Sequence, residues 1–242
     1  MRSATLELNQ ADRFASPKPA NFDRLARVYR WLEWFTFGPI LWQCRCVYLD
    51  EMKSRKAALV IGDGDGRFTA ELLKRNQRIA VDAVDASNAM LRQLKQQAGH
   101  NASRVHVHLA DVRQVNLAPC KFDLIATHFL LDCLTTVEVE SLARRLKDAM
   151  TFDAIWIVSE FAIPDNWYGH LIARPLVTGL YIAFGFLTGL SIRELPRHRE
   201  ALQTAGFVLT KQQKRMWGLL VSELWESSPI ANSRSIPKVF KD

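Results

Sequence analysis

Cysteine is scarce: the 242 residues hold four, Cys44, Cys46, Cys120 and Cys133, with no C-x-x-C pair among them. That excludes a disulfide-stapled secreted scaffold and predicts reduced thiols in a cytoplasmic setting. Cys44 and Cys46 have no neighbouring His or Cys to complete a four-ligand set, so no metal site is expected. There is no run of five or more like charges, although 32 basic residues face 25 acidic ones. The formal charge of +7 therefore reads as a basic soluble protein before it reads as a nucleic-acid or lipid surface. The opening Met-Arg-Ser-Ala-Thr-Leu-Glu has no apolar core, so no secretory signal is expected. Hydrophobic residues at 48% against 24% charged exclude a largely disordered chain. The length suits one α/β domain with an extension of about fifty residues.

Two phosphate-binding signatures are also missing. No G-K-[ST] follows the glycines, and position 67 is Arg where G-x-G-x-x-G would continue. What stands there is Ala57-Ala-Leu-Val-Ile-Gly62-Asp63-Gly64-Asp65-Gly66, an apolar strand running into three alternating glycines. Glycines allow a sharp turn and a close backbone approach to a ligand, and the helix that follows aims its amides at the same place. Asp85 ends the next apolar run, where a carboxylate accepts from both hydroxyls of a ribose. Asp63 and Asp65 would repel a pyrophosphate, which argues against a dinucleotide. S-adenosylmethionine carries an ammonium and a sulfonium and no phosphate, so an acidic glycine loop suits it.

Apolar runs at 57–61, 79–84, 104–109, 122–127 and 154–159 alternate with helical patterns near 66–75, 88–98 and 136–150. Ser87 caps the second of these helices, and Thr135 or Thr136 with Glu138 caps the third. The alternation predicts a doubly wound α/β sheet, Rossmann-like, with helices on both faces. A helix near 196–205 stops at Gly206, and strand-like runs at 207–213 and 217–225 form a C-terminal hairpin. The predicted organisation is a flexible arm at 1–21, a single domain at 22–226 and a loose tail at 227–242. Within the domain, 22–54 are N-terminal helices, 55–165 the cofactor-binding core, 166–195 an apolar lid-like helix, and 196–226 the last helix and hairpin.

Four landmarks in order resemble the class I S-adenosylmethionine-dependent methyltransferases: the 62–66 loop, Val84-Asp85-Ala86-Ser87-Asn88-Ala89-Met90-Leu91, Ala110-Asp111-Val112, and Phe122-Asp123-Leu124-Ile125 leading to Thr127-His128. The resemblance runs from about Phe22 to Trp225 and implies a seven-stranded, mostly parallel sheet. It implies that Gly62, Asp63, Gly64, Asp65 and Gly66 hold the methionine end of the cofactor and that Asp85 and Ala86 meet the ribose. Asp111 and Val112 would take the adenine, with Thr127 and His128 beside the methyl group. Val60 stands where that family usually has an acid, which leaves Asp63 or Asp65 to substitute for it or cofactor affinity reduced. The segment from Phe22 through Tyr29, with Phe37-Gly38 and Trp42, is similar to the ubiquinone and menaquinone C-methyltransferase branch, whose acceptors are flat aromatic lipids.

His128 and Asp132 follow the fourth strand and are the candidate catalytic pair, His128 as a base of suitable pKa. A backbone-bonded histidine and a turn-capping aspartate would look the same in sequence. Tyr29, Trp34 and Trp42 are expected to line a substrate pocket, or else to pack on the core. Pro175 to Ile192 is free of charge, but a membrane crossing there would separate the hairpin from its sheet. A helix buried over the site is expected instead, with contact to a membrane surface left open. The expected function is methyl transfer to a small, apolar or aromatic, quinone-like acceptor, with no nucleic acid as partner and the oligomeric state open. The alternatives are a non-catalytic S-adenosylmethionine-binding protein and a nucleic-acid methyltransferase. Against the latter, Thr127-His128-Phe129-Leu130 replaces any Asn/Asp-Pro-Pro-Tyr/Phe motif.

Overall fold

The computed structural model describes residues 39–179 and 195–228. The expected arm, the helix carrying Tyr29 and Trp34, most of the uncharged 175–192 run and the tail beyond Ser228 lie outside the described residues. In chain order the elements are α1 (Pro39–Cys46), β1 (Ala57–Ile61), α2 (Arg67–Arg75), β2 (Ala80–Asp85), α3 (Asn88–Ala98), β3 (Val105–Leu109), β4 (Phe122–His128), α4 (Thr136–Ala149), β5 (Met150–Phe161), α5 (His198–Thr204), β6 (Phe207–Arg215) and β7 (Leu220–Ser227). A further helical segment spans 167–179 and includes a π-helical stretch at Gly169–Ala173.

The sheet has seven strands in the order β3-β2-β1-β4-β5-β7-β6. The first five are parallel, and β7 is antiparallel to both β5 and β6. The order reverses between β1 and β4, which opens a crevice at their carboxyl ends.

Period-two alternation distributes the apolar strands between two cores. Leu59, Ile61, Ile125, Trp156 and Trp225 pack with Val139, Leu142 and Leu146 of α4 and Leu202 of α5. Ala58, Val60, Leu124, Ala126 and Ile157 pack with Phe68, Leu72 and Leu73 of α2 and Leu94 of α3. Val60 is thus a core residue of that second face. A third, smaller cluster of Leu41, Cys44, Tyr168, Val177, Leu219 and Leu220, flanked by Phe129 and Phe161, sits beyond the ends of β4, β5 and β7.

The predicted caps form. Ser87 Oγ accepts from the Met90 amide at 3.2 Å, and Thr135 with Glu138 makes a reciprocal capping box on α4. Two strand starts differ most from expectation. β5 begins at Met150 because its first residues still pair with Phe122 across a register shift. β7 begins at Leu220, since Met216–Gly218 is a 3-10 turn in which Trp217 takes a left-handed φ of 51°.

Candidate functional site

The glycine loop after β1 has φ values of 68°, 67° and 82° at Gly62, Gly64 and Gly66, all in the region that disfavours side chains. Their surroundings differ. A Cβ on Gly66 would strike the backbone of Leu94, so this glycine serves the close packing of α2 against α3. A Cβ on Gly62 would meet Leu130 Cδ1 at 2.8 Å. At Gly64 nothing lies within 4 Å, so bare backbone faces open space at the crest of the loop.

The loop's acids are engaged within the protein. Asp63 is 5% exposed, and its Oδ2 accepts from the Thr69 amide at 2.8 Å, serving the first turn of α2, whose own N-cap is a glycine without a side chain to offer. Burial pushes its carboxyl up to about 6, against the hydrogen bond to Thr69 and the charge of Arg45, which pull it down. Asp65 is paired with Arg67, Nε to Oδ2 at 2.9 Å. The negative field expected over the loop is therefore partly neutralised by Arg67 and partly sunk beneath the surface.

At the end of β2, Asp85 Oδ1 accepts from the Ser87 amide at 2.8 Å, which orients the carboxylate at the mouth of the crevice, with Ala86 exposed beside it. After β3, Asp111 Oδ1 accepts from the Arg113 amide at 2.8 Å, and the Arg113 guanidinium bridges Asp111 at 3.3 Å and Glu138 at 2.7 Å. Val112 is buried behind it in the α4-side core. Asp85 thus closes β2 and Asp111 follows the end of β3, at the carboxyl ends of adjacent strands.

Thr127 is fully buried and accepts a hydrogen bond from Trp156 Nε1 at 3.0 Å. His128, on the opposite face of β4, is 3% exposed; its Nδ1 lies 3.0 Å from Ser159 Oγ, and its ring meets Phe68 edge-on at 4.3 Å. Burial, reinforced by the Arg45 charge, holds its pKa well below the ordinary value, so the imidazole is neutral at physiological pH. Asp132 is turned inward rather than toward a ligand. It accepts from the Phe161 amide at 3.2 Å and faces the Glu160 carboxyl. Trp42 packs against the core cluster that contains Tyr48 and Phe68, whereas the aromatic pair Phe129 and Phe161, with ring centroids 5.3 Å apart, flanks the third cluster.

Three residues here were not anticipated. Arg45, at the end of α1, is 3% exposed, and its guanidinium carbon stands 5.5 Å from the centroid of the Phe129 ring. Phe129 itself takes φ 56°, a sparsely populated conformation for a non-glycine residue. Glu160 is fully buried at the end of β5 and accepts from the amides of Leu130 and Leu131 at 3.1 and 2.9 Å. An acid closing the apolar run Ile155-Trp-Ile-Val-Ser-Glu160 was the available signal for it. Among the described residues no group of three His, Cys, Asp or Glu side chains is arranged to hold a metal ion.

Residues 58–153 match the family model of a methyltransferase domain. The carboxy-S-adenosyl-L-methionine synthase of Nautilia profundicola is 24% identical over 153 residues, covering 63% of each chain. Among solved structures, the mitomycin 7-O-methyltransferase MmcR superposes with a TM-score of 0.63 at 15% identity, over 86% of this chain and 60% of that one. The 1,6-didemethyltoxoflavin-N1-methyltransferase of Burkholderia thailandensis, solved with 1,6-didemethyltoxoflavin and S-adenosylhomocysteine bound, superposes with a TM-score of 0.62 at 17% identity, over 86% of each chain. The chain thus spans 63% of the length of the synthase and 60% of MmcR. At such identities these structures share the fold with this chain. Residues 58–153 are thus similar to a methyltransferase domain, in a chain whose strand order is shared with the class I methyltransferase fold.

Proposed function

We propose that the chain binds S-adenosylmethionine across the carboxyl ends of β1, β2 and β3 and transfers its methyl group to a small apolar or aromatic acceptor. The observation that carries this reading is the bare backbone at Gly64, with φ 67° and nothing within 4 Å, flanked by Asp85 at the next strand end. A side chain at Gly64 would fill that cradle. Asp85 would hold the ribose hydroxyls, Asp111 the adenine amino group, and the amides of residues 62–66 the methionine end. The relative from Burkholderia thailandensis holds S-adenosylhomocysteine on the same fold, which supports this choice of cofactor.

When bound, the cofactor supplies an electrophilic methyl group whose leaving sulfur is already activated. The protein's share is alignment and the exclusion of water. His128, neutral and fixed by Ser159, suits a hydrogen-bonding role toward the acceptor better than proton removal. Asp132, committed to the Phe161 amide and Glu160, is better suited to holding the loop than to acting on substrate.

The apolar acceptor is supported by the cluster of Tyr168, Leu219 and Leu220 with Phe129 and Phe161 over the strand ends. That cluster continues to the surface. Tyr168 packs edge-on against Trp217, which is 80% exposed, and Trp167 and Leu171 are exposed on the same helical segment beside Arg174. Aromatic and aliphatic groups beside a cationic Arg174 suit peripheral contact with an anionic membrane, on the cytoplasmic side if the thiols are reduced. Among the described residues no helix is long and apolar enough to cross a membrane.

The test is calorimetric titration with S-adenosylhomocysteine, followed by mass-spectrometric detection of methylated product from quinones, phenols, polar metabolites and RNA. Micromolar binding with methylated aromatic product is expected. Binding with no product from any class favours the second reading, a cofactor-binding protein without turnover, for which the buried settings of His128 and Asp132 speak. Methylated RNA would overturn the small-molecule acceptor.

A further inference from the structure

We propose that Glu160 and Asp132 form a one-proton carboxyl clamp that sets the position of Leu130 against Gly62, making Glu160 a positioning residue of the cofactor loop. The inference rests on the cofactor reading above. The two side chains reach across each other. Glu160, at the end of β5, takes the Leu130 and Leu131 amides on Oε1, while Asp132, in the turn after β4, takes the Phe161 amide of β5 on Oδ2. Each strand end is thereby held by a carboxyl from the other. Glu160 Oε2 is buried and receives no donor from the protein, so a proton held between it and the facing Asp132 carboxyl would satisfy it. Both side chains are buried, at 0% and 6% exposure, so neither charge is relieved by water. Two adjacent buried carboxylates cannot both ionise; one proton between them turns repulsion into a hydrogen bond.

What the clamp holds is the wall of the glycine loop. Leu130 Cδ1 fills the space beside Gly62, and the Gly62 amide in turn donates to Val84 O at 2.9 Å. Phe129, just upstream, is kept at φ 56° with its amide bonded to Ser159 O at 2.7 Å. Release of Leu130 would free both the loop wall and the strained residue beside it.

Burial raises both acids, Asp132 to about 6, and the facing Asp132 charge raises Glu160 further. Glu160 therefore carries the proton and donates it to Asp132. The other groups facing the pair are His198 of α5, whose charge favours ionised Asp132, and the Cys133 thiol, itself pushed up to about 12 by burial and by both acids, with Arg113 acting on Cys133 from beyond. Because the folded state raises the pKa of Glu160, the one-proton clamp is present near neutrality, takes up a second proton on Asp132 as pH falls below about 6, and loosens as pH climbs through the folded value of Glu160.

The experiment is S-adenosylhomocysteine binding by calorimetry from pH 6.5 to 8.5 for the wild-type chain, Glu160→Gln and Glu160→Ala, with thermal melts alongside. Glutamine reproduces the protonated acid: its carbonyl accepts from the two amides and its amide donates to Asp132. Affinity of the wild-type chain is expected to fall toward alkaline pH, while Glu160→Gln stays level and matches the wild type near neutrality. Glu160→Ala, losing two buried acceptor contacts, is expected to bind about tenfold more weakly or worse. Parallel pH profiles in wild type and Glu160→Gln, or a Gln variant as weak as the Ala variant, overturn the clamp even if Glu160→Ala fails to fold. A wild-type chain that binds at no pH overturns the cofactor reading and this inference with it, whereas binding with parallel profiles removes the clamp alone.

Discussion

Leu130 occupies the space that any side chain on Gly62 would need: its Cδ1 lies 2.8 Å from where that Cβ would sit. The first glycine of the loop is therefore fixed by a residue 68 positions away on the neighbouring strand's exit, and the three glycines have three separable duties.

Alanine substitution separates them. Gly66→Ala drives a methyl into the Leu94 backbone at φ 82° and is expected to cost the most stability, roughly 3 kcal/mol or more. Gly64→Ala meets nothing within 4 Å and should cost only the strain of its φ, about 1 kcal/mol, while weakening S-adenosylhomocysteine binding. Urea unfolding and calorimetry on the same two proteins check this. A Gly64→Ala variant with unaltered affinity would remove the cradle from the proposed site.

Asp85→Ala is expected to raise the S-adenosylhomocysteine dissociation constant about tenfold or more, since two ribose hydroxyls lose a charged acceptor. Melting temperature without ligand should change little, because the Ser87 amide that Asp85 holds lies two residues away in the same turn. A large loss of apo stability with preserved affinity would make Asp85 a turn residue only.

Thr127 offers a stability test that needs no ligand. Its hydroxyl accepts from Trp156 Nε1 at 3.0 Å, both residues being fully buried. Thr127→Val keeps the shape and strands the indole N–H, at an expected cost of about 1–3 kcal/mol. Equal urea midpoints for the two proteins would mean that the indole finds another acceptor.

Acid unfolding should report Glu223. Burial alone would raise this carboxyl, yet the hydrogen bond and charge of His198, joined by Arg199, hold it at about 2. A lowered folded pKa contributes stability above the ordinary value of 4.5 that is lost as pH falls toward about 2, roughly 3 kcal/mol in all. Glu223→Gln should be less stable at neutral pH and show a flatter decline below pH 5, measured by denaturant titration across that range. A decline as steep as that of the wild-type chain would locate the acid sensitivity elsewhere.

The membrane proposal is checked by sedimentation with vesicles. Binding to phosphatidylglycerol-containing vesicles is expected, reduced by Leu171→Asp and by added salt, with none to pure phosphatidylcholine. If Leu171→Asp instead abolishes a concentration-dependent dimer and vesicle binding is absent, the patch meets a second copy of the chain.

The amino-acid sequence was enough for the strand and helix pattern, the cap at Ser87, the choice of Thr135 or Thr136 with Glu138 as the next cap, and the succession of Gly62, Asp85 and Asp111 at strand ends, because each is written in local periodicity or in a short contiguous motif. What contiguity cannot encode is which distant groups meet. Arg45 beside Phe129, Asp132 facing Glu160 and Leu130 against Gly62 are pairs set by the strand order and by burial, and burial then decided which acids keep their protons. The same limit applies to Asp63 and Asp65: their charges are plain in the chain, but only folding turned one inward to the Thr69 amide and paired the other with Arg67.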